Sequence, residues 1–396
     1  MLDWVVVGGG IHGVHLAVRL LKDAGVPRDR LRIVDPGAHL LDSWRRCSTN
    51  VDMAFLRSPG VHHLDANPFS LLQFAGVRSK KTQTPRGMFR QPYRRPSRKL
   101  FKEHCDSVLR AYDLPALHVR NRVVDLDLTC EHAEVRLADG DSLFARNVLL
   151  AIGASEQPRW PDWGTSLRDA GAHIEHIFTP GFHLKPKDWL GRVAVVGGGI
   201  TAAQVAIRLS QGDRREVHVV SPHAPLKEIF DSDPGWIGPR FMRRFSATPD
   251  LTDRRNAITA ARHVGTIPPD VHRTLRKAVE RGAIIWHEGS IEARKLDHGV
   301  GFVVGEETLT VDSILLATGF EAKRPGGALL DGVIEKHSLP CAGCGYPIVD
   351  THLRWHPRVF VTGPLAELEV GPIARNIVGA RQAAERIVPF ARVARA

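Results

Sequence analysis

The first candidate functional residues form a glycine-rich turn near the start of the chain. A β-branched run at residues 5–7 leads into Gly-Gly-Gly-Ile-His-Gly at residues 8–13, and apolar residues at helical spacing follow. This order of strand, glycine turn and helix is the context in which Gly-x-Gly-x-x-Gly binds a dinucleotide. Gly8 permits the tight turn, Gly10 lets the backbone approach a pyrophosphate, and Gly13 allows the helix to pack closely on the strand.

An acidic residue stands where such a site needs one. Residues 31–35 read Leu-Arg-Ile-Val-Asp and predict a second strand that ends at Asp35. A carboxylate at this point accepts hydrogen bonds from ribose hydroxyls, and the free N–H groups at the helix N terminus face the pyrophosphate. The glycine turn and Asp35 together make the prediction of nucleotide binding specific.

The same pattern occurs a second time in the middle of the chain. An apolar run at residues 193–196 leads into Gly-Gly-Gly-Ile-Thr-Ala, and residues 217–221 predict the strand that follows. Gly197 and Gly199 repeat the first two glycines, whereas Ala202 takes the third glycine position. An internal repeat of this kind indicates two copies of one architecture.

Each copy also contains a stretch in which apolar and polar residues alternate. These stretches are residues 119–150 and 284–311, and they lead into buried strands that end near Gly153 and Gly319. Alternation with a period of two predicts small antiparallel meanders beside the parallel sheets. The predicted fold class is α/β, with two Rossmann-like three-layer dinucleotide-binding domains that each carry a small antiparallel β-meander.

The two copies differ at the end of the second strand. In the second copy no acid ends that strand; Ser221 and His223 stand there, with Arg214, Arg215 and Lys227 nearby in the sequence. A 2′-phosphate needs hydrogen-bond donors or cations at this point, where a carboxylate would repel it. The second copy therefore favours NADP over NAD. The alternative interpretation is that the basic residues form a solvated turn.

Composition and charge limit the classes of function that this chain can have. The chain has 396 residues, a formal net charge of +11 and 5 cysteines. Its basic residues are spread along the chain apart from a run at residues 90–102, and no nucleic-acid recognition motif accompanies them. A cationic surface around anionic cofactors is therefore the favoured interpretation. No apolar run reaches the length of a membrane span, Met1 directly precedes the first strand, and the odd number of cysteines suits a reducing compartment. We expect a cytoplasmic protein that binds neither nucleic acid nor membrane.

Together these features resemble the flavoproteins with two dinucleotide-binding domains. Within that group, the stretch Asp312-x3-Leu316-Ala-Thr-Gly-Phe320-x4-Pro325 is similar to the long signature of the class B flavin monooxygenases of the ornithine and lysine N-hydroxylase family, except that Phe320 replaces Tyr. The resemblance covers essentially the whole chain and implies that the first and last segments hold FAD. The implied arrangement is an FAD-binding domain formed by residues 1–185 and 321–396, with an NADP-binding domain inserted at residues 186–320.

The resemblance also implies a reaction. In that family NADPH reduces FAD, the reduced flavin forms a C4a-hydroperoxide with O2, and a soft nucleophile is oxygenated. This chain is accordingly expected to be an FAD- and NADPH-dependent monooxygenase of a small molecule, with N-hydroxylation of an amine as the first expectation. The residues assigned to the cofactors are Gly8, Gly10, Gly13, Asp35, Trp44, Gly153, Gly197, Gly199, Thr201, Ala202, Ser221, His223, Gly319, Gly363 and Gly371.

The resemblance implies roles beside the flavin for two further residues. Arg57 falls where the family carries a Lys that holds the substrate carboxylate, so it is a candidate anion clamp; a surface arginine in a loop is the alternative. Asp52 falls near the position where the family carries a Gln beside the flavin. A carboxylate at this position would oppose an anionic peroxyflavin unless it were protonated. The turn Gly371-Pro372 opens the predicted last helix, whose N terminus would direct positive potential at the flavin pyrimidine.

The cysteines leave alternative functions open. Cys47 lies where flavin disulfide reductases carry redox cysteines, but it has no partner at Cys-x4-Cys spacing. A thiolate stabilised by Arg45 and Arg46 would make the chain a disulfide or pyridine-nucleotide reductase. Cys341 and Cys344 have the spacing of a metal knuckle, yet zinc takes four such ligands, so reduced thiols are favoured and no metal is expected. A third alternative is a flavoprotein that binds both nucleotides without turnover.

Overall fold

The computed structural model describes residues 1–77, 86–212 and 214–393. Its β-strands, numbered in chain order, are β1 (Leu2–Val7), β2 (Leu31–Asp35), β3 (Phe89–Arg90), β4 (Arg95–Pro96), β5 (His118–Arg120), β6 (Val123–Leu128), β7 (Ala133–Leu137), β8 (Ser142–Leu150), β9 (Ile174–His176), β10 (Gly191–Val196), β11 (Arg215–Ser221), β12 (Leu226–Lys227), β13 (Thr266–Ile267), β14 (Ile285–Glu288), β15 (Ile291–Lys295), β16 (Val300–Val304), β17 (Glu307–Val311), β18 (Ser313–Leu316), β19 (Arg354–His356) and β20 (Val359–Val361).

Helices connect and cover these strands. The α-helices are α1 (Ile11–Lys22), α2 (Asp42–Asn50), α3 (Ser70–Phe74), α4 (Arg98–Ala111), α5 (Asp162–Asp169), α6 (Ile200–Leu209), α7 (Pro239–Ala247), α8 (Leu251–Ala260), α9 (Pro269–Glu280), α10 (Gly327–His337), α11 (Glu367–Val370) and α12 (Ile377–Val393). Short 3-10 helices also occur, and the one that matters below is Pro372–Arg375.

The first sheet holds the first glycine turn at its centre. Its strand order is β19-β20-β8-β1-β2-β5, and β20, β8, β1, β2 and β5 are parallel to their neighbours in that order. Strand β1 reads as a continuous apolar run, and Val5 and Val6 are fully buried, because helices cover both faces of a parallel sheet. Strands β6, β7 and β8 pair antiparallel, which confirms the meander predicted for residues 119–150. We call this sheet with its helices the first module.

The second sheet repeats the arrangement. Its order is β14-β11-β10-β18-β9, all neighbours are parallel, and β10 leads through the second glycine turn into α6. Strands β15, β16 and β17 form a separate antiparallel meander. We call this sheet, its helices and its meander the second module. The α/β fold class with two parallel sheets and small antiparallel meanders is confirmed.

Two details of the second module differ from the sequence prediction. Residues 285–288 were expected in the meander, but they form β14, which pairs parallel with β11 at the edge of the sheet. None of the residues of this edge strand is fully buried, so its sequence does not differ from that of a meander strand. Strand β9 pairs with β18 although it precedes residue 186, where the inserted domain was predicted to begin. A strand of three residues carries too little periodicity to be recognised.

The starts of α4 and α12 are formed in different ways. Ser97 is the N-cap of α4 because its Oγ accepts a hydrogen bond from the Leu100 N–H at 3.2 Å. The last helix was expected to open at Gly371-Pro372, and this start was wrong. Pro372 opens only the 3-10 helix, and Asn376 is extended with ψ 167°, so α12 begins after it.

Candidate functional site

A cavity of about 720 Å³ opens at the carboxyl ends of β1, β2 and β8. Open α/β sheets bind their ligands at this edge, where the free N–H groups of a helix N terminus face the crevice. The structure brings five of the predicted residues together on its wall. They are Gly8, Gly10, Asp35, Gly153 and Gly363.

Two glycines of the first turn are required by the fold itself. A Cβ atom on Gly13 would lie 1.8 Å from the carbonyl oxygen of Gly8. A Cβ atom on Gly8 would lie 2.6 Å from the carbonyl oxygen of Ala151, and Gly8 has a positive φ of 109°. Side chains disfavour both the contact and the backbone conformation. The end of β1 and the start of α1 can therefore pack this closely only because both residues are glycine.

Gly10 and Gly153 are different, because nothing lies within 4 Å of a Cβ atom built on either residue. Gly10 is the N-cap of α1 with φ −77° and ψ −171°, a conformation that any residue adopts. Neither packing nor backbone geometry explains a glycine at these two positions. Both line the large cavity, so the backbone at these two positions is open to the close approach of a ligand.

Asp35 is fixed on the cavity wall by the backbone. Its Oδ2 accepts a hydrogen bond from the Gly9 N–H at 2.7 Å, and its Oδ1 accepts one from the Gly37 N–H at 2.8 Å. Each carboxylate oxygen keeps further acceptor capacity, so the side chain can receive ribose hydroxyls without moving. Its role toward a ribose stays a prediction.

His12 is a cavity residue to which sequence reasoning gave no role. Its Nδ1 lies 2.9 Å from the hydroxyl oxygen of Thr362, and burial lowers its pKa to about 4. The imidazole is therefore neutral near pH 7, and it joins the first glycine turn to the end of β20. Its place inside the glycine motif was the available signal.

Further cavity residues were also missed. Arg122 and Glu156 face each other on the wall, with Nη2 of the arginine 2.9 Å from a carboxylate oxygen. Gly326 and Gly327 contribute backbone with positive φ values of 106° and 46°. The Gly-Gly pair directly after the signature was visible in the sequence, whereas nothing in the sequence marked the arginine–glutamate pair.

The second glycine turn repeats the backbone geometry of the first. Gly197 has a φ of 146°, and a Cβ atom on it would lie 2.5 Å from the carbonyl oxygen of Ala317. The N–H of Gly197 donates to the Val220 carbonyl at 2.9 Å, as the Gly8 N–H donates to the Val34 carbonyl at 2.8 Å. The two glycine turns that repeat in the sequence thus also share the same backbone hydrogen bond to the neighbouring strand.

The start of α6 completes this second turn. Gly199 is its N-cap, Ala202 is fully buried in the third glycine position, and Thr201 is half-buried in the first helical turn. A Cβ atom on Gly199 would lie 3.6 Å from the Cα atom of Gly265, which is an ordinary contact. The residues before β13 therefore lie over the second glycine turn.

Ser221 and His223 meet at the edge of this turn. The Ser221 hydroxyl donates to the His223 carbonyl at 2.7 Å, and a Cβ atom on Gly198 would lie 2.4 Å from the same hydroxyl oxygen. Nδ1 of His223 donates to the Ala224 carbonyl at 2.8 Å, which places the ring proton on Nδ1. A hydroxyl and an imidazole thus stand where the first copy has the Asp35 carboxylate.

Arg57 connects the two modules rather than lining the large cavity. Its Nε donates to the Ile229 carbonyl at 2.9 Å, and its Nη2 donates to the Glu228 carbonyl and the Thr266 hydroxyl, both at 3.1 Å. Burial lowers the pKa of Arg57, and Asp231 opposes this effect. Among the described residues, Nη1 has no hydrogen-bond partner, so one nitrogen of the guanidinium is available to a ligand.

Asp52 lies away from the large cavity. It has a positive φ of 48°, and its carboxylate lies 3.6 Å from a guanidinium nitrogen of Arg98. It lines a separate cavity of about 120 Å³ against α6 and α9. The structure therefore does not bring Asp52 together with Asp35 and the first glycine turn, because α2 ends before it and the chain turns toward the second module.

Trp44 and Gly319 also lie outside the wall of the large cavity. The Trp44 ring packs on Phe101 with ring centroids 5.1 Å apart. The Gly319 carbonyl accepts a hydrogen bond from the Arg159 N–H at 2.9 Å. Phe320, the departure from the signature, stacks on Phe178 with centroids 5.0 Å apart and planes 9° from parallel.

The turn at Gly371 is covered by the second module. Gly371 has a φ of 82°, and a Cβ atom on it would lie 3.1 Å from the sulfur of Met242 in α7. A larger residue would meet both the backbone penalty and this neighbour. Gly371 therefore marks a close contact between the modules, and it does not line the large cavity.

A buried ion cluster secures the same contact. Glu367 is fully buried and binds three arginines, with closest distances of 2.9 Å to Arg255, 2.7 Å to Arg262 and 2.5 Å to Arg375. Burial alone would raise the pKa of Glu367, but the arginines, Arg375 first, hold that pKa below its usual value. We call these four residues the Glu367 cluster. It joins α8 and Arg262, two residues past the end of that helix, to the chain around Gly371.

Cys47 does not have the surroundings of a reactive thiolate. Burial raises the pKa of its thiol, and Arg46 opposes this only in part. Arg45 binds Asp106 at 2.7 Å, and Arg46 donates to the Thr179 carbonyl at 2.7 Å. Both cations that were expected to stabilise the thiolate have other partners.

Two properties of the described residues bear on membranes and metals. None of their helices is both long and apolar enough to cross a membrane. They also contain no group of three or more His, Cys, Asp or Glu side chains that could hold a metal ion.

Comparison with known proteins agrees with this geometry. Residues 5–155 match the model of an FAD-NAD(P)-binding family. A curated relative, the uncharacterized oxidoreductase CzcO of Bacillus velezensis, is 21% identical over 338 residues, which are 85% of this chain and 86% of that protein. The matched family segment contains the first glycine turn, Asp35 and Gly153.

Solved structures with the same fold span the whole chain. The ornithine N-hydroxylase KtzI of Kutzneria sp. 744, described with reduced FAD, NADP+ and L-ornithine, superposes with a TM-score of 0.76 at 18% identity and covers 100% of both chains. The L-lysine 6-monooxygenase of Pseudomonas syringae superposes with a TM-score of 0.73 at 19% identity, again over 100% of both chains. The chain therefore has the fold of flavoproteins with two dinucleotide-binding domains.

Proposed function

We propose that this chain is an FAD- and NADPH-dependent monooxygenase that oxygenates an amine or another soft nucleophile. The observation that carries the proposal is the open space at Gly10 and Gly153 on the wall of the large cavity. It supports a cofactor pyrophosphate at the first glycine turn, in a chain whose whole fold is that of the N-hydroxylating monooxygenases. Bound FAD would accept hydride from NADPH and activate O2.

The first module would hold FAD. Gly8, Gly10 and Gly13 would place the start of α1 against the pyrophosphate, and Asp35 would accept the ribose hydroxyls. We assign residues 1–185 and 321–396 to FAD binding. Strand β9 is the exception within this range, because it is part of the second sheet.

The second module would hold NADPH, within the assigned range 186–320. Gly197, Gly199, Thr201 and Ala202 repeat the first turn, which supports a second pyrophosphate there. The hydroxyl of Ser221 and the imidazole of His223 would face the 2′-phosphate, and neither group repels it as a carboxylate would.

The substrate would lie at the junction of the modules. Nη1 of Arg57 has no partner among the described residues, and its position beside the residues around β12 and β13 supports the role of an anion clamp. A charge-assisted hydrogen bond from this nitrogen would orient a substrate carboxylate. Asp52 lies in a different cavity, beside Arg98, and is not assigned to this substrate site.

The test is the stoichiometry of the reaction. Purified protein with bound FAD is supplied with NADPH and O2 and a panel of amines and thioethers, and product, hydrogen peroxide and NADPH consumption are measured together. We expect one compound class to convert most of the consumed NADPH into oxygenated product, while protein without substrate releases only hydrogen peroxide. Hydrogen peroxide as the sole product with every compound, at an unchanged rate, would exclude the monooxygenase.

A flavin-dependent disulfide or pyridine-nucleotide reductase is the second candidate. It would reduce an external acceptor with NADPH and would need no substrate junction. Its expected nucleophile, Cys47, has a thiol whose pKa is raised by burial, which does not favour this candidate. Reduction of disulfides at the expense of NADPH, lost in Cys47→Ser, would establish it.

A further inference from the structure

An ion pair on the wall of the large cavity joins two parts of the chain that follow different strands. Nη1 and Nη2 of Arg122 donate to the two carboxylate oxygens of Glu156, each at 2.9 Å, and both residues line the cavity. Two parallel hydrogen bonds between planar groups fix their relative orientation as well as their distance. We call this pair of residues the strap.

The strand order of the first sheet shows what the strap spans. Arg122 lies two residues after β5, and Glu156 lies six residues after β8, both at the carboxyl edge of the sheet. Because β1 and β2 lie between β8 and β5, the strap closes a gap of about 14 Å, which is three times the usual strand spacing. The first glycine turn follows β1, and Asp35 ends β2. The strap therefore passes over the two groups that the proposed function assigns to the pyrophosphate and the ribose.

Both ends of the strap are held by backbone hydrogen bonds. The Arg122 carbonyl accepts a hydrogen bond from the Ala138 N–H at 2.9 Å, which ties this end to the meander. Glu156 lies in a turn that the Gln157 N–H closes by donating to the Ala154 carbonyl at 3.0 Å. The two side chains themselves are each 54% exposed. The strap can therefore open by rotation of two side chains, without movement of the sheet.

The strap lies at the end of the cavity that an adenine ring would occupy. A pyrophosphate at the end of β1 and a ribose at the end of β2 would direct the adenine toward β5, which is the next strand in the sheet. Val123 and Val124 follow Arg122 directly and line the same cavity, and Val124 is 48% exposed. Apolar surface is thus available to the ring beside the strap.

We propose that the strap is a barrier to the exchange of FAD, because its two hydrogen bonds must break before the adenosine half of the cofactor enters or leaves the crevice. The inference rests on the proposed function in taking FAD as the ligand of the first module. An exposed ion pair is weak, so the strap slows exchange and does not prevent it. Since the barrier is crossed in both directions, it acts on the rates of association and dissociation and leaves the affinity for FAD nearly unchanged.

Exchange kinetics of the FAD-loaded protein test the strap. Free flavin in the filtrate after dilution gives the dissociation rate constant, and a dilution series at equilibrium gives the dissociation constant. We expect Arg122→Gln and Glu156→Gln each to raise the dissociation rate constant about three- to fivefold, the size of effect that one exposed ion pair produces. The dissociation constant should stay within about twofold of the parent value, since association becomes faster as well.

Exchanging the two charges separates a strap from a direct contact with the cofactor. Arg122→Glu combined with Glu156→Arg restores the ion pair in the opposite direction and should return the dissociation rate constant to within about twofold of the parent value. Arg136→Gln is the matched control, because Arg136 forms an exposed ion pair with Asp125 at 3.3 Å in the meander, outside the wall of the cavity. This control should leave the rate constant and the dissociation constant unchanged.

Three results would overturn the proposal. They are a dissociation rate constant that neither single variant changes, one that Arg136→Gln raises equally, and a dissociation constant that rises in step with the rate in Arg122→Gln. The last result would assign Arg122 to direct binding of FAD. The measurements need neither NADPH nor O2. A parent protein that holds no FAD would contradict the proposed function, whereas a parent that holds FAD and exchanges it as fast as the strap variants would contradict the strap alone.

Discussion

Gly10 and Gly13 lie three residues apart in one turn, yet only Gly13 is required by packing. A Cβ atom on Gly13 overlaps backbone at 1.8 Å, whereas one on Gly10 meets nothing within 4 Å. The structure shows that the fold requires Gly13, whereas no packing contact requires a glycine at residue 10.

This difference predicts opposite outcomes for two matched variants. Gly10→Val should fold with a melting temperature near that of the parent but purify with little FAD, because its side chain occupies the space of the pyrophosphate. Gly13→Val should lose stability by several kcal/mol, on the order of the largest single-site effects. Flavin absorbance per protein and thermal unfolding measure both. Full flavin content in Gly10→Val would place FAD elsewhere.

Arg57 allows a second prediction at this scale. Arg57→Ala should raise the KM for an anionic substrate by about ten- to a hundredfold, because a hydrogen bond to a charged group contributes roughly 1.5–3 kcal/mol. Reduction of the flavin by NADPH should change much less. Arg57→Lys is the control, since it keeps the charge but loses the fork that holds the Glu228 and Ile229 carbonyls. Equal losses in flavin reduction by NADPH and in oxygenation of the substrate would show that Arg57 only holds the two modules together.

Residue types with a fixed chemical role were predictable from the sequence, and residues on irregular chain were not. The glycines and Asp35 follow directly from a strand and a helix, so their positions are set by regular structure. Asp52 lies on the irregular stretch after α2, where no periodicity fixes which way the chain turns, and Trp44 lies in α2, whose packing direction the local sequence does not set. Their distance from the large cavity is a tertiary property.

At the scale of elements, β2 and β11 occupy equivalent places in their sheets and end differently. β2 ends at Asp35, which binds the N–H groups of Gly9 and Gly37, while β11 ends at Ser221, whose hydroxyl is bound to His223. The strands are the same structural unit, so the difference lies in the charge at the carboxyl end. A ribose hydroxyl or a ribose phosphate would be recognised at that end of the strand.

A carboxylate placed at the end of β11 should change which nicotinamide nucleotide the second module prefers. Ser221→Asp should lower the preference for NADPH over NADH by at least tenfold, because the new carboxylate repels a 2′-phosphate and accepts a 2′-hydroxyl. Ser221→Asn is the isosteric control without charge and should keep the NADPH preference. Rates of flavin reduction with each nucleotide give the ratio. A ratio that Ser221→Asp leaves unchanged would remove this strand end from the NADPH site.

The elements themselves were largely predictable because each module alternates strand, glycine turn and helix. The three places where the elements differ from the sequence prediction share a cause. β14 at a sheet edge resembles a meander strand, β9 is too short to show a period, and Asn376 interrupts a helix without any Gly or Pro at that position. Each depends on neighbours that the local sequence does not contain.

At the scale of the whole molecule, burial of histidine predicts sensitivity to acid. Burial lowers the pKa of His12, His104 and His176 to about 4 and of His63 to about 3. Unfolded histidine has a pKa near 6.5, so below that pH the unfolded chain binds protons that the folded chain does not. The free energy of unfolding should therefore fall as the pH drops from about 6.5 toward 4, by up to about 1.4 kcal/mol per pH unit for each such histidine.

Urea unfolding at a series of pH values measures this slope. His104→Asn should reduce the slope, because it removes one buried imidazole whose Nε2 lies 2.9 Å from the Ser70 hydroxyl. His298→Asn, at an exposed histidine, is the control and should leave the slope unchanged. A midpoint that stays constant between about pH 7 and pH 5 would show that other groups compensate.

The position of β20 has a consequence for how the protein is made. β20 lies between β8 and β19 inside the first sheet, yet both β19 and β20 follow the entire second module along the chain. A nascent chain on the ribosome therefore exposes the hydrogen-bonding edge of β8, with its apolar residues, while more than half of the sequence is still being translated. Open strand edges of this kind attract other strands. During biosynthesis this chain should thus depend on chaperones that shield a waiting edge, even though the finished protein presents none there.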